Sequence, residues 1–346
     1  MGFTGYSRAV YYAEVEDAVK SGASFRAAAE ARESGDYSKV SAILDPKDMK
    51  GGVRECCYAP GFSDALPIFI SIDATGSMHR VPHGIQADLP TLIDLILEQG
   101  ISDRPNVLFF CHDDYEFVPR GACQMSQFET DAKSLFASTN EMIIPSRGGH
   151  NMTESYDLAF YAAARHTRLE CFDKNGEKGF FFLIGDEYPT DEHLSPSTYS
   201  IAPQKVADVF GDSIQAPVSM LDIVKEVHAK YHVFVIRPGD TAAGGRKDIS
   251  TAWADLLGEA GGNPQHVLEV PTMKDIIPAI LLSVARIFGS ETEIINVLTT
   301  RGDDVAGAIA ATAGVKVENA VAIVSTEVRL PTTEPDGSIP DAPERR

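Results

Sequence analysis

The sequence predicts an α/β fold: a doubly wound, mostly parallel central sheet with helices on both faces, and an extension at either end. Three observations lead there. Between about residues 64 and 289, short apolar runs alternate with longer helical patterns, as they do where parallel strands are joined by crossover helices. The runs at 66–72, 107–111, 179–184, 231–236 and 266–270 are near-continuous in Ile, Val, Leu and Phe, the composition of strands covered on both sides. Of the 346 residues, 44% are apolar or aromatic, enough to bury a full core and to exclude disorder of the whole chain.

Taken in order, residues 1–62 carry two helical patterns, at 9–21 and 24–32, followed by the loop-forming Lys50-Gly51-Gly52. This stretch reads as an N-terminal helical extension outside the core. Within 64–289 the helical patterns fall at 82–99, 128–138, 153–168, 216–230, 251–258 and 273–288, with Pro90 predicting a kink or a late start in the first. The segment 188–220, rich in Pro, Ser and Asp, reads as a long loop leaving a strand end, where recognition is commonly carried. Residues 290–330 form a C-terminal extension, with a helix at 291–299 and a strand or helix at 315–328. The tail at 331–346 has a disordered composition.

A net charge of −20 repels phosphate backbones, and no basic face is legible, so a nucleic-acid role is excluded and a cation or a basic partner fits better. The five cysteines show neither a CxxC pair nor Cys/His ligand spacing, and are read as reduced. The chain start lacks a basic stretch followed by an apolar one, and no apolar run approaches the roughly 18 residues of a membrane span. The expectation is a cytoplasmic protein with no membrane contact. The sequon Asn151-Met152-Thr153 and the tripeptide Arg301-Gly302-Asp303 are short matches of the kind that chance supplies.

The sharpest feature is the strand Leu66-Pro67-Ile68-Phe69-Ile70-Ser71-Ile72 running directly into Asp73-Ala74-Thr75-Gly76-Ser77-Met78. The carboxyl end of a strand in an open α/β sheet is where ligands bind. At alternating positions, Asp73, Thr75 and Ser77 offer one carboxylate and two hydroxyls around a tight turn that Gly76 permits. Hard oxygen ligands of this kind suit Mg²⁺, with Mn²⁺ or Ca²⁺ as substitutes. A single acid among them leaves the ion undercharged and receptive to one more anionic oxygen. Two further patches offer the remaining ligands: the Gly-rich loop Arg147-Gly148-Gly149-His150-Asn151-Met152-Thr153-Glu154-Ser155, and the strand end Ile184-Gly185-Asp186-Glu187.

These three patches, in this order and separated by βα units, resemble the von Willebrand factor A domain and its metal-ion-dependent adhesion site. The resemblance covers about residues 64–289 and implies a Rossmann-like fold. Carried over, Asp73, Thr75 and Ser77 match the opening D-x-S/T-x-S motif, and Asp186 matches the strand-ending aspartate. The middle motif departs from the pattern, because His150 follows Gly148-Gly149 where many members have threonine. Asn151, then Thr153, then His150 are its candidate ligands, in the manner of a prokaryotic-type branch with the D-x-T-G-S-M start. The resemblance implies one Mg²⁺ and a protein partner that presents a Glu or Asp, with AAA+ ATPase assemblies as one analogy.

Other features carry plainer readings. Cys111-His112-Asp113-Asp114 hints at metal ligation but reads better as a strand-end turn. Glu187 and Asp191 read as solvated, His79 and His83 as surface helix residues, and Trp253 as core. An enzyme is the weaker expectation, since there is no P-loop, no G-x-S-x-G elbow, no H-E-x-x-H and no second acidic cluster legible in the chain. A structural subunit that self-assembles through its terminal extensions is the other alternative.

Overall fold

The computed structural model describes residues 6–21, 23, 25–59, 61, 64–147, 154–191, 194–301 and 306–313. Strands β1 (Leu66–Asp73), β2 (Pro105–His112), β3 (Gln124–Met125), β4 (Gly179–Ile184), β5 (Tyr231–Pro238) and β6 (Val267–Val270) make one sheet in the order β6-β5-β4-β1-β2-β3. Every pairing is parallel except that of β3, which closes the edge antiparallel to β2. The chain thus winds outward from β1 in one direction, returns to the centre at β4, and winds outward in the other. The reversal opens a crevice at the carboxyl ends of β1 and β4, where the last pair in register is Ile72 with Ile184.

Successive strand residues point to opposite faces, so each strand feeds two cores. On one face, Ile68, Ile70 and Ile72 of β1 and Phe180, Phe182 and Ile184 of β4 lie under α3 (Val81–Glu98) and α10 (Ile276–Phe288). On the other, Phe69, Phe181 and Leu183 lie under α5 (Tyr156–Arg165), α8 (Met220–Lys230) and α9 (Lys247–Glu259). The two ends of the chain add to the first face. From α1 (Arg8–Ser21) and α2 (Arg26–Ser34), Tyr11, Ala18 and Ala28 join its cluster; so do Ile294 and Leu298 of α11 (Glu291–Arg301) and Ile309 of α12 (Ala306–Ala313).

The structure departs from the sequence expectations at several element ends, each for a physical reason. Helix α3 runs unbroken through Pro90. The proline cannot donate to the Gln86 carbonyl four residues back, and that carbonyl instead accepts the Tyr11 hydroxyl at 2.8 Å. Helix α4 (Ala132–Asn140) starts later than residue 128, because Asp131 caps it by accepting from the Ser134 N–H at 3.0 Å while Glu129 bridges back to Val107. Helix α5 stops at Arg165, and Thr167–Leu169 instead pairs in parallel with Arg54–Cys56; a six-residue α6 (Glu170–Asn175) follows.

The segment expected as a long loop contains a helix, α7 (Pro203–Phe210), and a short antiparallel pair of Ser200–Ile201 with Val218–Ser219. It is tied down by Lys205, whose Nζ donates to both Asp157 carboxylate oxygens at 2.8 Å, with Tyr199 donating to one of them at 3.0 Å. All five cysteines are free, and all but Cys57 are buried. Among the described residues no helix is long and apolar enough to cross a membrane. The expectations for 315–328 and 331–346 lie outside the described residues.

Candidate functional site

The crevice at the β1/β4 switch point gathers Asp73, Thr75, Ser77 and Asp186 of the residues that the sequence singled out. Asp73 ends β1 and is fully buried. Its Oδ1 accepts two hydrogen bonds, from the Thr75 N–H at 2.9 Å and the Thr75 hydroxyl at 2.6 Å. Its Oδ2 accepts a third from the Tyr156 hydroxyl at 2.7 Å. Ser77, at the end of the turn, donates its hydroxyl to Asp186 Oδ1 at 3.1 Å, so the first and last patches meet across 109 residues of chain.

Gly76 sits in a close approach of the turn to residues 146 and 147. A Cβ there would meet the Arg147 carbonyl at 3.3 Å and that of Ser146 at 3.5 Å. The Ser146 N–H donates to Ala74 O at 3.1 Å and the Arg147 N–H to Asp113 Oδ2 at 3.2 Å, which brings the head of the Gly-rich patch onto the turn. Asn151, Thr153 and His150, the candidates from that patch, lie outside the described residues. Glu154 at its far end is described and half-buried.

Gly185 is held to glycine still more tightly, since a Cβ at that position would sit 2.5 Å from the Tyr156 hydroxyl. Tyr156 is one of two residues here that sequence reading missed. It donates to Asp73 and also accepts from the Glu187 N–H at 3.2 Å, joining β1 to the end of β4. Its ring is pinned between Trp253 at 5.5 Å and His112 at 5.6 Å. A buried tyrosine next to a Gly-rich loop reads as core in one dimension, and only the fold shows where its hydroxyl goes.

Arg237, on β5, is a second residue the sequence did not flag. It has no exposed surface, and its Nη2 donates to the carbonyls of Asp186 at 3.1 Å and Ala243 at 2.9 Å. The guanidinium therefore grips the backbone of Asp186 and leaves the carboxylate to face the crevice. Trp253 is core, as expected, and its indole N–H also donates to Glu187 O at 2.9 Å. Glu187 is half-buried and Asp191 exposed, while His79 Nδ1 donates to Gly76 O at 2.8 Å and His83 lies against Phe25.

His112 is wholly buried at the end of β2 with neither ring nitrogen hydrogen-bonded to a described residue, and burial, then the Lys205 charge, pushes its pKa down to about 3. It is held as a neutral packing residue between aromatic rings.

The electrostatics of the crevice are unbalanced. Burial first, and then the charge of Asp186, pushes the Asp73 carboxyl up to about 7. Burial, followed by Asp73 and Asp114, pushes Glu154 up to about 11. Among the described side chains, Asp186 Oδ2 is buried without a hydrogen-bond partner, an arrangement that costs free energy unless something positive or protic meets it.

The donor set can be counted. A carboxylate has about four lone-pair sites. Asp73 has spent three on Thr75 and Tyr156, so it holds the turn and keeps one site; Asp186 has spent one on Ser77 and keeps Oδ2 whole. The Thr75 and Ser77 protons are both directed at carboxylates, which leaves the hydroxyl oxygens free to offer lone pairs to a cation. Among the described residues no group of three or more His, Cys, Asp or Glu is arranged to hold a metal by itself. Two carboxylates and two hydroxyls fit a hard, oxygen-seeking divalent ion and would suit a thiophilic one poorly.

No protein-family model matches the chain, and no curated protein matches it. Several solved structures overlap it in part, among them a pilus adhesin and a mussel byssus protein. The pilus adhesin SpaC from Lactobacillus rhamnosus GG overlaps 64% of this chain and 30% of its own, at 13% identity and a TM-score of 0.42. Proximal thread matrix protein 1 from the mussel byssus overlaps 64% of this chain and 47% of its own, at 9% identity and a TM-score of 0.38. The overlap therefore spans less than half the length of either protein.

Proposed function

We propose that this chain is a metal-dependent protein-binding module of the von Willebrand factor A type, in which Asp73, Thr75, Ser77 and Asp186 hold one Mg²⁺ with help from the 148–153 loop. The observation that carries the reading is the Asp186 carboxylate, fully buried, hydrogen-bonded to Ser77 through Oδ1 and, among the described residues, without a partner at Oδ2. An acid buried this way, beside a second buried acid, costs free energy unless a cation or a proton answers it, and a cation bound there leaves both carboxylates ionised. When bound, Mg²⁺ would supply an electrophilic centre with a position left for a Glu or Asp oxygen of the partner.

The chain's own residues divide the work. Asp186 and the two hydroxyls offer oxygens; Tyr156 and the Thr75 N–H fix Asp73; Arg237 fixes the backbone at Asp186. The test is a titration with Mg²⁺ followed by pull-down of interacting proteins with and without EDTA. Wild-type protein is expected to bind the ion and to capture a partner only in its presence. Asp186→Ala is expected to keep the fold and lose both, and capture indifferent to EDTA would contradict the proposal.

A second reading, self-association through the terminal helices, has one observation in its favour. Tyr12 and Val19 of α1 are 44% and 62% exposed and line a cavity of about 540 Å³ against α3. Light scattering of the full chain against a truncation lacking residues 1–35 tests it, a monomer in both arms excluding it.

A further inference from the structure

We infer that a groove beside the site receives a lysine or arginine side chain of the same partner, so that the recognised segment carries an acid and, within about four residues, a base. The inference rests on the metal-dependent reading above and names the partner's chemistry more closely. The groove lies between α9 and the segment that leaves β4, and encloses about 210 Å³. Pro189, Leu194, Ala252 and Leu256 give it an apolar lining, with Leu194 46% exposed.

Its rim is acidic. Asp255 and Glu259 stand one helical turn apart on α9, both exposed, with no hydrogen bond or ion pair to any described residue, and Asp191 lines the groove with them. Like charges four residues apart on a helix repel each other, so a cation between them relieves a cost already present. Arg246, the residue that caps α9, is engaged by Asp248 at 2.7 Å and by the Tyr188 hydroxyl at 2.8 Å, and Lys247, the first residue of α9, lies about two turns from Asp255. An apolar lining below an acidic rim matches a long aliphatic stem that ends in positive charge. An aliphatic side chain would leave Asp255 and Glu259 unanswered, and an acidic one would be repelled. The net charge of −20 favours encounters with basic segments in the same sense.

Groove and site share a wall. Trp253, flanked on α9 by the groove residue Ala252, donates to the carbonyl of Glu187, the residue that follows Asp186. From Asp186 to Thr190 the chain spans at most about 14 Å, the reach of about four extended residues of a bound peptide.

The probe is a phage-displayed library of random dodecapeptides, panned on the full chain in Mg²⁺ and eluted with EDTA. Eluted peptides are expected to carry Asp or Glu with Lys or Arg within about four positions. The best of them, made synthetically, is expected to bind Asp255→Asn/Glu259→Gln roughly fivefold to tenfold more weakly at low salt, the range of two partly exposed ion pairs, with its Mg²⁺ dependence intact. EDTA-eluted acidic peptides that lack a base, that carry an aliphatic residue in its stead, or that bind the double variant equally well would overturn the groove inference and leave the metal reading standing. If no peptide elutes with EDTA, the metal reading fails and the groove inference falls with it.

Discussion

Replacing Tyr156 by Phe removes one oxygen and strands two partners. The hydroxyl donates to Asp73 Oδ2 at 2.7 Å and accepts from the Glu187 N–H at 3.2 Å, while the ring packs on Trp253 and His112 and would stay. A buried polar group left without a partner costs about 1–3 kcal/mol. Asp73 is fully buried and Glu187 half-buried, so the pair is expected to cost about 2–4 kcal/mol. The same hydroxyl helps to lower the Asp73 pKa against burial and Asp186, so its loss drives that carboxyl above about 7 and makes protons stronger competitors for a cation. Urea unfolding in EDTA measures the first effect, as a shift in midpoint at constant slope. A Mg²⁺ titration at neutral pH measures the second, and weaker binding is expected. A stability change within about 0.5 kcal/mol, the range of an ordinary surface substitution, would refute the role assigned to Tyr156.

Gly185→Ala puts a methyl 2.5 Å from the Tyr156 hydroxyl in a packed site, so a loss of about 1–3 kcal/mol and weakened Mg²⁺ binding are expected; unchanged unfolding in urea would contradict the close approach. Lys205→Met leaves Asp157, only 1% exposed, without its counter-ion, at an expected cost of about 3–5 kcal/mol. Limited proteolysis of that variant should cut faster within 188–220, and wild-type cleavage rates would show that the ion pair does not anchor the segment. For pH the sign follows from the raised Asp73 carboxyl. Protonated in both states below its ordinary value of 3.8, it costs stability as pH climbs from there through about 7. The slope for one such proton is at most about 1.4 kcal/mol per pH unit. Urea midpoints in EDTA should fall across that window, less so in Asp73→Asn and less so with saturating Mg²⁺. A midpoint that rose with pH in EDTA would contradict the assignment.

Much of this was legible in the chain because the sheet is covered on both faces. Strands β1, β2, β4, β5 and β6 declare themselves as continuous apolar runs, and the runs begin or end within two residues of the observed strands. Asp73, Thr75, Ser77 and Asp186 were legible because each sits where an apolar run breaks into a turn. What escaped depends on contacts between distant parts of the chain. Pro90 signals a break, and its helix survives because Tyr11, 79 positions away, answers the freed carbonyl. Tyr156 and Arg237 look like a core aromatic and a strand-end base until the fold aims one at Asp73 and the other at the backbone of Asp186. Helix α7 was the avoidable miss. Pro203 at its start, Val206, Val209 and Phe210 along one face, and Gly211 at its end are local signals of a short amphipathic helix.

Isothermal calorimetry of the full chain with Mg²⁺, run beside Asp186→Asn, bears most directly on whether the buried acids at the β1/β4 crevice form a cation site. The asparagine keeps the shape and removes the charge of the carboxylate whose Oδ2 has no partner among the described residues. Wild-type protein should show saturable heat with one ion per chain, and the variant none at an unchanged circular dichroism spectrum. No heat from wild-type protein, or equal heat from a folded Asp186→Asn, would contradict the reading.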